Sequence, residues 1–386
     1  MTTDRPIYLD NHATTRVDPQ VLERMWPFYS ERYGNASSIS HAYGWDAAEA
    51  VDTARSQVAR LIGGTEREIV FTSGATEANN LAIKGVMARC PAGSHLIVSA
   101  IEHRAILDPA RKLERAGYAV TVLPVDEHGR VSLNQLAESL KDNTKLVSIG
   151  WANNEIGTIQ DVTAIGQLCR DRGVIFHTDA AQAVGKLPMS LANLPIDLMS
   201  FTAHKIYGPK GVGALFLNRS QRRLRLEPLQ EGGGQERGLR SGTLPVPLIV
   251  GFGTACELAG QLMPEEPSRL QTLRNQLWEG LSASLPGLHQ NGPLDQRLAN
   301  NLNVSIEDIN GDALMNGLTQ IAVSSGSACT SSNPEPSHVL KAIGRNDSLA
   351  RASLRFGLGR FTTPEDIDVA IDHVTEVVER LRELTT

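Results

Sequence analysis

The chain has 386 residues, 41% of them apolar and 21% charged, with 37 basic and 43 acidic side chains and a net charge of −6. That length supports a large core and two lobes, and the acidic balance offers no electrostatic footprint for nucleic acid. The start, Met1-Thr-Thr-Asp-Arg-Pro-Ile-Tyr-Leu-Asp10, has no apolar signal region, and the longest greasy run, Leu248-Ile-Val-Gly-Phe-Gly-Thr-Ala-Cys256, stops at Glu257, too short to cross a bilayer.

From about residue 50 to 217, apolar runs alternate with helical patterns. The runs predict strands over 68–72, 95–100, 119–124, 145–150, 174–178, 197–202 and 212–217. The segments between them, such as 77–88, 104–115, 133–140 and 162–172, carry apolar residues at helical spacing. Such alternation predicts an α/β fold with a mostly parallel sheet covered by helices on both faces. A glycine-rich loop follows (Glu231-Gly-Gly-Gly-Gln-Glu-Arg-Gly-Leu-Arg-Ser-Gly-Thr243), then a long helical stretch from Val246, punctuated by Pro264 and Pro267. A smaller lobe with fewer, shorter strands comes next. Over 364–384, Ile367, Ile371, Val374, Val378 and Leu381 mark one apolar stripe of an amphipathic helix. The four cysteines (Cys90, Cys169, Cys256, Cys329) show no Cys-x-x-Cys spacing, which speaks against a disulfide framework or a zinc site and fits a reducing cytoplasm.

Two of the predicted strands end in a pair of groups with complementary chemistry. Asp179, in His177-Thr-Asp-Ala-Ala-Gln182, closes one apolar run, and Lys205, in Ser200-Phe-Thr-Ala-His-Lys205-Ile-Tyr-Gly-Pro-Lys-Gly, follows another. Chemistry with pyridoxal 5'-phosphate (PLP) needs a lysine to form a Schiff base with the aldehyde and a carboxylate to keep the pyridine nitrogen protonated. Parallel strands ending side by side place both at the carboxyl edge of the sheet, where open α/β folds bind ligands.

Other segments reach the same edge. Thr72-Ser-Gly-Ala-Thr-Glu-Ala-Asn79 joins a strand to a helix through small residues, so the helix N-terminus at Ala75 and the Thr76 hydroxyl make a site for the cofactor phosphate. Thr202 and His204 are further donors. His103, in Ile101-Glu-His, is placed to stack on the ring and exchange protons with substrate. Asn154, in Trp151-Ala-Asn-Asn154, and Gln182 either bond the ring hydroxyl or substrate, or are turn residues. Cys329 lies in Val323-Ser-Ser-Gly-Ser-Ala-Cys329-Thr-Ser-Ser-Asn-Pro-Glu-Pro-Ser-His338, whose small and polar residues predict an exposed loop suited to a nucleophilic thiol. At a pKa near 8.5 only about 3% of a thiol is ionised at neutral pH, so such a site must activate it. Cys90, Cys169 and Cys256 lie in helical or apolar contexts and read as structural.

Together these segments resemble a cysteine desulfurase of the group that includes the housekeeping and nitrogen-fixation types. The resemblance runs from Ile7-Tyr-Leu-Asp-Asn-His-Ala-Thr-Thr15 to about Arg360-Phe-Thr-Thr363, and Ser324-Ser-Gly-Ser-Ala-Cys329 and Arg240-Ser-Gly-Thr-Leu-Pro245 carry it as specifically as the lysine loop. It implies the aspartate-aminotransferase fold (PLP fold type I), with a seven-stranded sheet in a large domain over 15–255. A smaller domain is implied over 1–14 and 256–386, carrying the cysteine loop at about 324–338. It also implies a homodimer with active sites at the interface. Lys205 is then the Schiff-base lysine, Asp179 the partner of the ring nitrogen, Gln182 a contact of the ring oxygen, and His103 the stacking residue. Thr76, Thr202, His204 and, from the neighbouring subunit, Thr243 hold the phosphate. Arg355 clamps the substrate carboxylate, and Asn35 and Asn154 match substrate- and cofactor-facing positions.

The activity so implied converts L-cysteine to L-alanine, holds the sulfur as a persulfide on Cys329, and passes it to an iron–sulfur scaffold or another acceptor protein. Rival readings are an aminotransferase or PLP lyase without a covalent relay, and a catalytically silent assembly subunit that keeps the fold. The chain stops at Thr386, just after its final helix, where housekeeping members continue into a scaffold-docking tail. The expectation is therefore weak scaffold association centred on the Cys329 loop.

Overall fold

The structure is a computed structural model that describes residues 5–219, 224–325 and 335–384. Its centre is a seven-stranded sheet whose strands follow in the spatial order Ile69–Thr72, Gly213–Leu217, Leu198–Thr202, Ile175–Asp179, Thr144–Ser148, His95–Ser99 and Ala119–Leu123. Only Gly213–Leu217 runs against its two neighbours, so six strands share one direction. The predicted sheet is present, with strand ends shifted by one or two residues.

Alternation along the strands explains why the sheet is covered on both sides. Ile97, Val147, Phe176, Met199, Phe201, Ala214 and Phe216 pack into one apolar cluster, and Leu96, Val98, Leu146, Leu198, Leu215 and Leu217 into another. Successive strand residues point to opposite faces, so each strand contributes to both. Burying side chains of this size stabilises by about 1.5–3 kcal/mol each.

The helical stretch after the glycine-rich loop is two helices, Val246–Leu262 and Glu266–Ser284. Pro267 sits in the first turn of the second, where a missing N–H costs nothing. Val246–Leu262 is buried among apolar residues on the sheet side, which accounts for its greasy sequence. Among the described residues no single helix is long and apolar enough to cross a membrane.

The smaller part holds a three-stranded antiparallel sheet, Ser353–Gly357, Asn301–Ile306 and Leu288–Gln290 in that order, against the helices Glu266–Ser284 and Pro364–Glu383. Pro364–Glu383 starts on a capping box between Thr363 and Asp366 and buries Ile367, Val374 and Val378 of the predicted stripe. The N-terminal strand Ile7–Tyr8 pairs in parallel with Ile321–Ala322. Beyond it the chain runs to the large sheet, where the Thr15 N–H donates to His204 O at 2.9 Å.

Candidate active site

Because the parallel strands all end at one edge, the loops after Thr72, Ser99, Ser148, Asp179 and Thr202 converge there. They line a cavity of about 540 Å³ together with His12, Lys210, Gly211 and Arg355. Of the residues singled out in the sequence, Ala75, Thr76, His103, Asn154, Asp179, Gln182, Thr202, His204, Lys205 and Arg355 all line it.

Lys205 follows the strand Leu198–Thr202, at the end of the short turn Ala203–Lys205. Its Nζ donates to the backbone carbonyls of His12 and, at 2.7 Å, Ala13. Asp179 ends the next strand. Its Oδ2 accepts from Asn79 Nδ2 at 2.7 Å and its Oδ1 from the Ala181 N–H at 2.9 Å, which fix the carboxylate at the cavity wall. Behind it lies Glu102, whose carboxyl accepts from Ser99 Oγ and from the Gly150 N–H at 2.9 Å. Burial, with the nearby Asp179 charge adding to it, pushes Glu102 up to about 7 despite those hydrogen bonds.

The helix Ala75–Met87 begins at Gly74, whose φ of 155° suits only glycine, and no side chain caps its first turn. The first-turn N–H groups at the cavity are thus left for an anion. Thr202 donates its hydroxyl to Val212 O at 3.2 Å, and His204 Nδ1 lies 3.1 Å from Thr14 Oγ1. Burial and the charges of Lys205, Lys210 and Lys186 push His204 down to about 4, so its imidazole is neutral at physiological pH.

His103 is both a helix cap and a cavity residue: its Nδ1 accepts from the Ala105 N–H at 3.0 Å. Gln182 is buried, with its Nε2 donating to His12 O at 3.0 Å and its Oε1 accepting from Lys186 Nζ at 2.7 Å. Arg355 is buried in the strand Ser353–Gly357, its Nη2 on Asp10 Oδ1 at 2.7 Å and its Nη1 on Asn154 O at 3.3 Å.

Asn35 and Thr243 lie away from this chain's own cavity, as Thr243, expected in the neighbouring subunit's site, should. Asn35 is exposed and its Oδ1 caps the Ser37 N–H at 2.9 Å, and Thr243 is exposed on the loop before Val246. Cys329 lies outside the described residues, but the chain on either side of it meets the site. The Arg355 N–H donates to Ser324 O at 2.7 Å, Ser337 Oγ donates to Glu155 Oε2, and His338 Nε2 lies 3.0 Å from Glu102 O. Cys169 and Cys256 are buried and Cys90 is half-buried, with burial raising the thiols of Cys90 and Cys256.

Sequence reasoning assigned no role to Asp10, His12, Asn79 or Glu102. The signal for the first two was a polar run, Asp10-Asn-His12, directly after an apolar strand. The set of groups suits a cofactor with an aldehyde, a basic ring nitrogen and a phosphate. An amine, a fixed carboxylate and an uncapped helix start face one cavity, whose volume lies within the usual ligand range of about 300–1,000 Å³.

The aminotransferase class-V family model matches residues 7–369. Cysteine desulfurase IscS of Salmonella schwarzengrund (strain CVM19633) is 53% identical over 383 residues, covering 98% of this chain and 94% of that protein. A solved NifS-like protein superposes with a TM-score of 0.90 at 39% identity, over 97% of this chain and all (100%) of that one. A structure of SspA in complex with cysteine gives a TM-score of 0.82 at 39% identity, over 92% of this chain and 100% of its own. The chain thus belongs to the class-V aminotransferase family and, within it, to the cysteine desulfurases.

Proposed function

We infer that this protein is a PLP-dependent cysteine desulfurase that takes sulfur from L-cysteine, leaves L-alanine, and hands the sulfur on for iron–sulfur cluster assembly and other sulfur-requiring pathways. The observation that carries this reading is that Lys205, Asp179 and Arg355 line one cavity. The related SspA structure, which contains cysteine, supports the choice of substrate.

When bound, PLP supplies an aldehyde for the amino group of the substrate and a ring that draws electrons from its α-carbon. Asp179, set by Asn79 and Ala181, holds a proton at the ring nitrogen. The uncapped start of Ala75–Met87, with Thr76 and His204 and with Thr202 once its hydroxyl turns from Val212 O, would receive the phosphate. Arg355, held by Asp10, presents its guanidinium to the substrate carboxylate, and Asn154 borders the same place. Lys205 removes the α-proton and returns one. The Cys329 thiolate attacks the substrate sulfur, so that an S–S bond forms while the C–S bond breaks and its electron pair stays with the substrate carbon. That carbon is protonated to give L-alanine, and His103 serves the proton movements. L-Cysteine and one enzyme thiol thereby become L-alanine and one enzyme persulfide.

A second copy of the chain completes the site in this reading, with Thr243 reaching across the interface; its exposure in one chain supports that. The two apolar clusters flanking the large sheet, and the separate one that joins Leu9 to the C-terminal part, support a division into a large lobe over 15–255 and a smaller one over 1–14 and 256–386. The reading places the protein in the cytoplasm. Incubating the purified holoenzyme with L-cysteine tests it: equal amounts of alanine and protein-bound sulfane sulfur are expected. A keto acid product would favour an aminotransferase, and release of free sulfide without protein-bound sulfur would favour a lyase.

A further inference from the structure

His12 is 1% exposed and lines the cavity, yet its Nε2 has no hydrogen-bond partner among the described residues. An orphaned polar atom in a buried position calls for an explanation. Its neighbours determine what kind of atom it is. His12 O can only accept, so Gln182 must point Nε2 at it and turn Oε1 toward Lys186 Nζ, as observed at 3.0 and 2.7 Å; burial and the Lys205 charge push Lys186 down to about 7. His12 Nδ1 lies 3.0 Å from that same Oε1 and must therefore carry the ring proton. Burial pushes the imidazole well below its ordinary range, with the charges of Lys186, Arg355 and Lys205 adding to the effect. The ring is neutral, and Nε2 presents a bare lone pair.

We propose that His12 is a specificity-determining residue of the desulfurase reaction, its Nε2 accepting the hydrogen bond of the substrate's β-thiol. The inference rests on the function proposed above. A free lone pair needs a donor, which excludes the substrate carboxylate. L-Cysteine has two donors, its ammonium and its thiol. Lys186, Lys205 and Arg355 all act on this imidazole, so a further positive charge beside it is opposed. The neutral thiol meets no such opposition. An amino acid without a β-hydrogen-bond donor would leave Nε2 unsatisfied, and sites built around a polar partner reject analogues lacking it.

The test uses holoenzyme of the parent, His12→Phe, His12→Ala and His12→Gln. KM and kcat are measured with L-cysteine, and the dissociation constant of S-methyl-L-cysteine, which keeps the ammonium and carboxylate but has no thiol hydrogen, is measured by absorbance titration. His12→Phe and His12→Ala are expected to raise KM for L-cysteine roughly 3- to 10-fold, the range for one neutral hydrogen bond, with the loss in KM rather than kcat. Binding of S-methyl-L-cysteine should stay at the parent value, and His12→Gln, which restores a carbonyl acceptor, should recover part of the loss. Should one of the apolar variants fail to fold, the other gives the same comparison. An unchanged KM, or equal weakening for both ligands, overturns the proposal. A parent enzyme that makes no alanine from L-cysteine would instead overturn the functional reading on which it stands.

Discussion

Arg55 and Glu236 form a buried two-pronged ion pair, Nη2 to Oε1 at 2.6 Å and Nη1 to Oε2 at 2.9 Å, that ties the helix Ala42–Ile62 to the glycine-rich loop. Glu236 also accepts from the Phe71 N–H at 2.7 Å, so the pair holds the loop against the edge strand Ile69–Thr72. Removing one partner leaves the other charge buried and uncompensated. Glu236→Ala is expected to lose about 3–5 kcal/mol of stability, read from urea denaturation. A loss no greater than that of an exposed pair such as Arg89–Glu227 would show that the buried charge is hydrated.

Lys205→Ala should abolish alanine formation, because the Schiff base and the movement of the α-proton both fall to the Lys205 amine in this reading. The variant should also lack the visible absorption that borohydride removes from the parent. Persistence of either would place the reacting amine elsewhere.

Cys329→Ser should separate cofactor chemistry from sulfur transfer. The spectral response to L-cysteine depends on the residues of the cavity and is expected to survive, whereas protein-bound sulfane sulfur should vanish. Alanine and sulfide at the parent rate would rule out the thiol relay.

Arg355→Lys keeps the charge but cannot bond Asp10 and a substrate carboxylate as a planar fork does. The kcat/KM for L-cysteine should fall roughly 10- to 100-fold, in line with loss of charge-assisted hydrogen bonds. Steady-state kinetics with L-cysteine gives the measurement, and parent-like values would move carboxylate recognition to another group.

His177 sits inside the sheet between Ser148 Oγ at 2.8 Å and Ser200 Oγ at 2.9 Å, and burial pushes its imidazole down to about 3. The unfolded chain takes up that proton near pH 6.5, so the folded-state pKa is the lower one. Stability contributed by the neutral ring is therefore present above about pH 6.5 and lost as pH falls through it toward about 3. His177→Asn should be less stable than the parent at about pH 8, with the gap narrowing at about pH 5. Urea midpoints at the two pH values give the comparison, and a constant gap would mean that His177 does not drive the acid response.

The sequence by itself determined the α/β layout, the order of sheet strands and helices along the chain, and the edge at which the chemistry gathers. Apolar periodicity is a local property, and Asp179 and Lys205 are legible because each directly follows a buried run in strands that lie side by side. It also carried the family, through motifs that are contiguous in the chain. What only the tertiary structure decided is how residues far apart complete one another. Asp10 meets Arg355 across 345 positions, His12 meets Gln182 across 170, and Arg55 meets Glu236 across 181. No period or spacing records such pairs, because they arise when separate elements pack and leave charged or polar atoms to find partners away from water. The same holds in reverse for Asn35, which the resemblance puts at a substrate-facing position while packing leaves it on the surface of one chain. His103 shows both levels at once: its place after a strand was local information, while its dual position as helix cap and cavity wall followed from where Arg104–Arg115 docks on the sheet.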